Sequence, residues 1–512
     1  MSKTLLTFDR AALGPVVTNK FTDLNVWSLD EPWARQAAAW PQDHFQTHFP
    51  FVRRVQLMAA TGGNESRDLF LRTHDRETLD DYQFDRLIAA CRNIVAHGLK
   101  PMIKTGQVPL KLSRRPRFGT FGTNVRPPDD YQAYGRYILD LATALRRHFG
   151  LEELRTWSWG VGVEFENSGW FEAEDGRADS TQQAYIRLYD ATVAALEGAL
   201  GADHVTVGAH AMAITPGAWN PLEFLQYCAR GRKHLDFLGM SYYTPVPGFD
   251  PGLFNGLLQG VVRGARQLGL QDLRFGIDEG RVLAGWDYRV LYPREVQHPI
   301  QAASDARLFH LMVAGGVDYC STWCLTTGGL AGGVPLVSSH FRNLAWRMSG
   351  GVSLACQRAP GSGDGVDGLA AWDASSQTLR VMVYHFCPDP DAAACVDVSV
   401  RVVGQVHTAS RAMRVWTLDR DHGNWWKAWQ ADAAARRLGA DAFRDSVWTP
   451  GLPHELVRRQ DALFWQGRLD HYRRVGQLKS VQQRARPTAD GALAWSTRLQ
   501  PHAVVLYEIP CS

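Results

Sequence analysis

The chain has 512 residues, 45% hydrophobic and 21% charged, which is ordinary for a globular protein but too long for one core, so a large domain beside a smaller one is expected. Its 55 basic and 52 acidic residues leave a net charge of +3, which gives no electrostatic reason to expect a nucleic-acid or membrane-surface partner. Cys320 and Cys324 are spaced too widely for a CxxC pair, the opening "MSKTLLTFDRAALGPVV" lacks the apolar core of a signal peptide, and no uncharged stretch reaches the roughly 20 residues of a membrane helix; the expectation is a reduced, cytoplasmic protein without a metal site.

Short apolar runs bounded by turn residues read as buried strands. In chain order they are "LNVWSL" at 24–29, "FVRRVQLMAA" at 51–60, "KPMIKTG" at 100–106 and "WSWGVGVEF" at 157–165, then "HVTVGAH" at 204–210, "LDFLGMSYY" at 235–243, "LRFGIDE" at 273–279 and "VDYCSTWCL" at 317–325. Between them lie helical patterns such as "LDDYQFDRLIAACRNIVAHG", "DDYQAYGRYILDLATALRRHFG" and "STQQAYIRLYDATVAALEGALG"; the second has Asp129 as an N-cap candidate and Gly150 as a C-cap. Eight alternating units predict an α/β fold closed into a (β/α)₈ TIM barrel. An open doubly wound sheet would usually carry a Gly-rich phosphate loop after an early strand, and none is present.

From about residue 351 the texture changes. "RVMVYHF", "VDVSVRVV", "AMRVWTLD" and "AVVLYEI" are short alternating segments that predict a C-terminal β-sandwich, giving domains 1–350 and 351–512. A Trp- and Arg-rich stretch from 419 to about 463 reads as a helical or irregular insertion, and the spacing of Trp425, Trp426 and Trp429 points to interdomain packing.

In such a barrel the site lies at the C-terminal ends of the strands. The fourth candidate strand ends in Glu164 and Glu166, followed by Asn167; the seventh ends in Asp278 and Glu279. The sixth ends in Ser241, Tyr242 and Tyr243, the eighth holds Trp323, and the second carries Arg54 and Gln56. Carboxylates converging on one mouth with a Tyr, an Arg and a Trp suit glycoside hydrolysis, in which one carboxyl protonates the leaving oxygen and the other attacks the anomeric carbon or activates water. A lone buried carboxylate beside a barrel Arg is the structural alternative for each.

The order and spacing of these stretches resemble glycoside hydrolase family 39, a retaining group that includes β-xylosidases and α-L-iduronidases. The family's W-Y-F-E-V-W-N-E-P-N fits "WSWGVGVEFE" without a gap, and its "TEWN" falls on "IDEGRV". The stretch from Tyr82 to Pro109 resembles the helix that leads into the family's third strand, and "RVWTLDRDHGNWWKAWQADAA" a C-terminal segment, so the likeness runs from about Val26 to the end. The resemblance implies Glu164 as acid/base and Glu279 as nucleophile; Arg54, Glu166, Asn167, Tyr243 and Trp323 are the candidate substrate- or nucleophile-contacting groups, against an ordinary ion pair for Arg54, core packing for Tyr243 and barrel filling for Trp323. It implies an oligosaccharide substrate, a β-xyloside by default and an arabinose-containing or other plant-wall sugar as runner-up, cut from a chain end with no cofactor. A carbohydrate-binding barrel that has lost turnover is the rival reading, and oligomeric state is left open.

The departures fall in the pocket. Val163 stands where the family has an Asn that touches the hydroxyl beside the anomeric carbon, so Asn167 is expected to supply that amide if the chain turns back. Ser241 stands where the family has a His, and Lys104 near its third-strand acid. Glu166 is expected on the same strand face as Glu164, pointing to the rim or to substrate.

Overall fold

The computed structural model describes residues 3–26, 29, 41–212, 217–243, 251–281, 298–322, 334–359, 365–437 and 459–511. Eight parallel strands close the predicted barrel: β2 (Asp23–Val26), β3 (Arg54–Leu57), β4 (Lys100–Thr105), β5 (Ser158–Val161), β6 (Val207–Ala211), β7 (Phe237–Tyr243), β8 (Arg274–Arg281) and β9 (Tyr319–Thr322), with β9 pairing back onto β2. Each lies within, and is shorter than, the apolar run that predicts it or extends it by a residue or two. Helices Asp85–Ala96, Tyr131–Phe149 and Ala178–Leu200 stand where the helical patterns lie.

Local chemistry sets their ends. Asp130, not Asp129, caps the helix that opens at Tyr131, accepting from the Gln132 amide, while Asp129 accepts from Arg114 N. At its other end Gly150 takes φ +81°, a left-handed conformation that glycine adopts without a Cβ clash.

The second sheet is a closed ring of nine strands. It comprises β1 (Lys3–Val16), β10 (Val352–Arg358), β11 (Val366–Asp373), β12 (Thr378–His385), β13 (Val396–Val403), β14 (Arg411–Leu418), β15 (Ser480–Pro487), β16 (Leu493–Leu499) and β17 (Val504–Pro510). The four C-terminal segments picked from sequence are β12, β13, β14 and β17. The chain's first strand was not among them, yet β1 pairs antiparallel with β10 and parallel with β13, so residues 3–16 lie in the second sheet, not in the barrel. Inward residues such as Leu6, Phe8, Val398 and Val400 alternate with half-buried neighbours and fill its interior.

The two sheets share an apolar boundary. Leu369, Met382, Trp416 and Leu506 of the second sheet join Phe309 and Phe341 of the barrel helices in one buried cluster. In the Trp-rich insertion, helices Trp426–Ala435 and Arg459–Val475 pack Trp429, Trp465 and Tyr472 with Trp425 around Val334 and Leu336, and Trp425 Nε1 donates to the Pro335 carbonyl at 3.1 Å.

Candidate active site

Strand β5 stops at Val161, and two left-handed residues follow, Gly162 at φ +78° and Glu164 at φ +45°. A non-glycine residue in that region costs on the order of 1 kcal/mol and persists where its surroundings hold it. The turn they make places the Asn167 amide N 2.7 Å from the Glu164 carbonyl and brings Asn167 Nδ2 to 2.8 Å from Glu164 Oε2. The chain therefore does turn back, and Asn167 reaches the carboxylate it follows. Glu164 also accepts from Ser241 and Trp170, and is only 6% exposed.

The same turn ends strand alternation before Glu166. That side chain is 0% exposed, and Oε1 accepts from the Met212 amide at 2.8 Å, while its carbonyl accepts from Ala218 N. Glu166 lies inside the structure and ties the exit of β6 to the turn after β5; it does not point to the rim as alternation predicted.

Strand β8 carries the second surprise. Against β7 its register runs Met240 to Ile277 and then Ser241 to Glu279, which leaves Asp278 as an extra residue. Alternation would send Asp278 and Glu279 to opposite faces, but this bulge keeps both buried within the barrel. Asp278 takes an ion pair from Lys104 of β4 and a 3.2 Å hydrogen bond from Gln56 Nε2 of β3; neither strand neighbours β8, so both contacts cross the barrel interior. Glu279, 3% exposed, accepts from the Tyr243 hydroxyl at Oε2.

The charges are coupled. Burial raises the Glu164 carboxyl above its ordinary range, against the hydrogen bonds from Ser241, Asn167 and Trp170. Burial and then the charge of Glu164 push Glu279 well up, against the Tyr243 hydrogen bond and the Lys104 charge. The charge of Glu164 thus acts on Glu279 across the barrel mouth. Asp278 behaves oppositely: burial would raise it, but the Lys104 charge holds it below its usual range. His210 lies at 3.0 Å from Ser241 Oγ, and burial with the Lys104 charge takes its imidazole down to about 3.

The structure thus joins Glu164, Asn167, Glu279 and Tyr243, and separates Arg54 from them. Arg54 opens β3 and pairs with Asp23 at 3.0 Å, with Ser158 at 3.2 Å and the Tyr319 ring beside it, all at the N-terminal starts of their strands. Trp323 lies outside the described residues. Trp170, Ser241 and His210 are the neighbours that strand-end reasoning did not assign a role. Val163 packs with Met58, Ala59 and Trp170, against Phe121 and Tyr243, so an apolar patch spans from the Glu164 neighbour to the Glu279 neighbour. Among the described residues no group of three or more His, Cys, Asp or Glu could hold a metal ion, and no helix is long and apolar enough to cross a membrane.

Residues 68–250 match the sequence model of Glycosyl hydrolases family 39, so the resemblance to that family holds over the stretch that contains Glu164 and Tyr243. Among curated relatives, a beta-xylosidase of Geobacillus stearothermophilus is 27% identical over 171 residues, 33% of this chain and 32% of that protein. An alpha-1,4-L-rhamnosidase of Formosa agariphila is 26% identical over 140 residues, 27% of this chain and 26% of that one. The matched stretch spans about a third or less of these relatives. Two solved structures follow the chain much further: a monomeric beta-xylosidase from Caulobacter crescentus (TM-score 0.69, 15% identity, 99% of this chain and 100% of that one) and a bacterial orthologue of human α-L-iduronidase (TM-score 0.66, 15% identity, 100% and 84%). At such identity the likeness speaks to the fold, a parallel barrel with a second sheet.

Proposed function

We propose that the protein is a retaining glycoside hydrolase that removes a sugar from the end of an oligosaccharide, with a β-xyloside as the favoured substrate. The observation that carries this reading is the buried pair Glu164 and Glu279, each held by a side-chain donor, with the charge of Glu164 acting on Glu279. A barrel that only bound sugar would have no need of two buried acids. The matches to β-xylosidases support the sugar, and the near-complete burial of both carboxyls favours a pocket that takes a chain end over an open cleft.

In this mechanism Glu164 donates its proton to the glycosidic oxygen while Glu279 attacks the anomeric carbon, giving a glycosyl-enzyme and a free alcohol. Glu164, now a carboxylate, takes a proton from water, whose oxygen displaces Glu279 and restores both groups. At the separation of about 5–5.5 Å that direct attack requires, two negative charges repel by about 3 kcal/mol at an effective dielectric near 20, so the resting pair keeps one proton. The Ser241 hydroxyl can donate to ionised Glu164 or accept from its protonated form, which suits a group that alternates between them. The Tyr243 hydroxyl and the Lys104 charge favour ionised Glu279. A cytoplasmic setting agrees with the seven described cysteines, all free thiols.

A panel of aryl glycosides assayed with wild type, Glu279→Ala and Glu164→Ala tests the reading. Glu279→Ala should abolish turnover, with azide restoring a glycosyl azide of inverted configuration. Glu164→Ala should spare substrates with good leaving groups in the first step. Leaving-group dependence in Glu166→Ala instead would move the acid/base by two residues, and inactivity of wild type on every glycoside would favour the carbohydrate-binding alternative.

A further inference from the structure

A charged pair buried inside a barrel is costly unless compensated, and an apolar pair of similar volume would pack as well or better. Lys104 and Asp278 are nevertheless both 0% exposed and ion-paired across the interior, one residue before Glu279. The wall is hollowed to receive them: a Cβ at Gly160 would collide with the Lys104 side chain, and one at Gly239 with the Asp278 carboxylate. Gln56 holds the other Asp278 oxygen and reaches Asp23 at 2.9 Å, and Asn25 Nδ2 donates to the Asp278 carbonyl at 3.3 Å. Lys104, Gln56 and Asn25 thus all close on the extra residue of the β8 bulge, the feature that turns Glu279 toward Tyr243 and Glu164.

We infer that Lys104, clamped on Asp278 at the bulge, is a positioning residue for the nucleophile: it fixes the aim of Glu279 and cancels the second negative charge beside it. The inference rests on the reading of Glu279 as nucleophile. The charged and titratable groups that act on Glu279 include Glu164 from the turn after β5, Tyr243 from β7, Lys104 from β4 and Asp278 from β8 itself. Around Lys104 and Asp278 stand His210 of β6 and Tyr319 of β9, with Arg54 and Asp23 beyond. His210, taken down to about 3, and Tyr319, pushed well up by burial and the Asp278 charge, keep their neutral forms across the working range. Without Lys104, Glu279 faces two carboxylates, Glu164 and Asp278; without Asp278, it faces an uncompensated ammonium.

The two removals therefore push the nucleophile in opposite directions, which a purely structural pair would not do. The experiment measures kcat, KM and the acid limb of kcat/KM against pH for wild type, K104M, D278N and K104M/D278N on an activated aryl glycoside. K104M should move the acid limb up by about one pH unit and lower kcat about tenfold or more with KM little changed, since the lost interaction acts on the reacting group. D278N should move the limb down, and the double variant should lie between the two. An unshifted limb in D278N, with only thermal stability lost, would overturn the inference even if K104M fails to fold. Infrared difference titration of the Glu279 carboxyl, identified against E279Q, reads the same shifts without turnover. An inactive wild type would thus sink the assignment of function while still leaving the influence of Lys104 to be measured.

Discussion

At the scale of single residues the site is a matter of which donor holds which oxygen. Asn167 follows Glu164 by three positions and donates to its Oε2 at 2.8 Å, a contact that aims the carboxyl and favours its ionised form. Asn167→Ala should therefore lower kcat by roughly tenfold to a thousandfold, since such contacts tighten in the transition state, and should raise the basic limb of the pH profile. Unchanged kinetics in that variant would remove Asn167 from the site. Val163 beside it sits in an apolar patch, so Val163→Asn would place an amide among Met58, Ala59 and Trp170. The loss of stability should be about 1–3 kcal/mol if that amide finds no partner, read from chemical denaturation; a stable, more active variant would mean that the pocket has room for the amide. Glu279 offers a test with a defined sign. Burial and the Glu164 charge raise its folded-state pKa above the unfolded value. Its contribution to stability is thus present below the unfolded value, near 4.3, and is lost as pH rises through the folded one. Glu279→Gln should raise the melting temperature by roughly 1–3 °C at pH 7 and change it little at pH 4. Equal shifts at both pH values would contradict that linkage.

At the scale of elements, two irregularities carry the chemistry. Strand β5 is cut short by Gly162 and Glu164 in the left-handed region, and β8 gains Asp278 as an extra residue. Period-two alternation, a sound rule along an unbroken strand, fails at both places. It put Glu166 on the face of Glu164, toward rim or substrate, and Asp278 and Glu279 on opposite faces; the structure buries Glu166 against the Met212 amide and keeps Asp278 and Glu279 both inside the barrel. Signals for both were present in the residues. Lys104 is a charge in the middle of the strand run "KPMIKTG", and two consecutive acids close the buried "LRFGIDE", so some charge had to be paired within the barrel. Gly239→Ala tests the bulge as an element, because a methyl group there meets the Asp278 carboxylate. The variant should stay folded with kcat reduced at least about tenfold, as expected of a small misplacement of a reacting group; full activity would mean that the bulge tolerates a shift.

At the scale of the whole molecule the two ends of the chain are tied together. β1 closes the second sheet by pairing with both β10 and β13, and Leu6 and Phe8 belong to that sheet's core. A chain cut at residue 350 would leave β1 without either partner and expose the apolar faces of the barrel helices that carry Phe309 and Phe341. Such a fragment should aggregate or melt without a cooperative transition in circular dichroism. A soluble, cooperatively folding fragment of residues 1–350 would show that the second sheet is dispensable.

Apolar periodicity by itself determined the barrel, because each buried parallel strand must be a continuous apolar run and each covering helix must show an apolar stripe. It also determined that carboxylates gather where those runs stop, at 164–166 and 278–279. Only the tertiary structure decided which of them meet. That choice depends on a turn three residues long, a one-residue register shift and an ion pair between strands far apart in sequence, none of which has a period to read. The same holds for β1, which the sequence reading does not single out as a strand: its partners, Val352–Arg358 and Val396–Val403, lie more than three hundred residues away along the chain, and only the closing of the sheet around its core selects them.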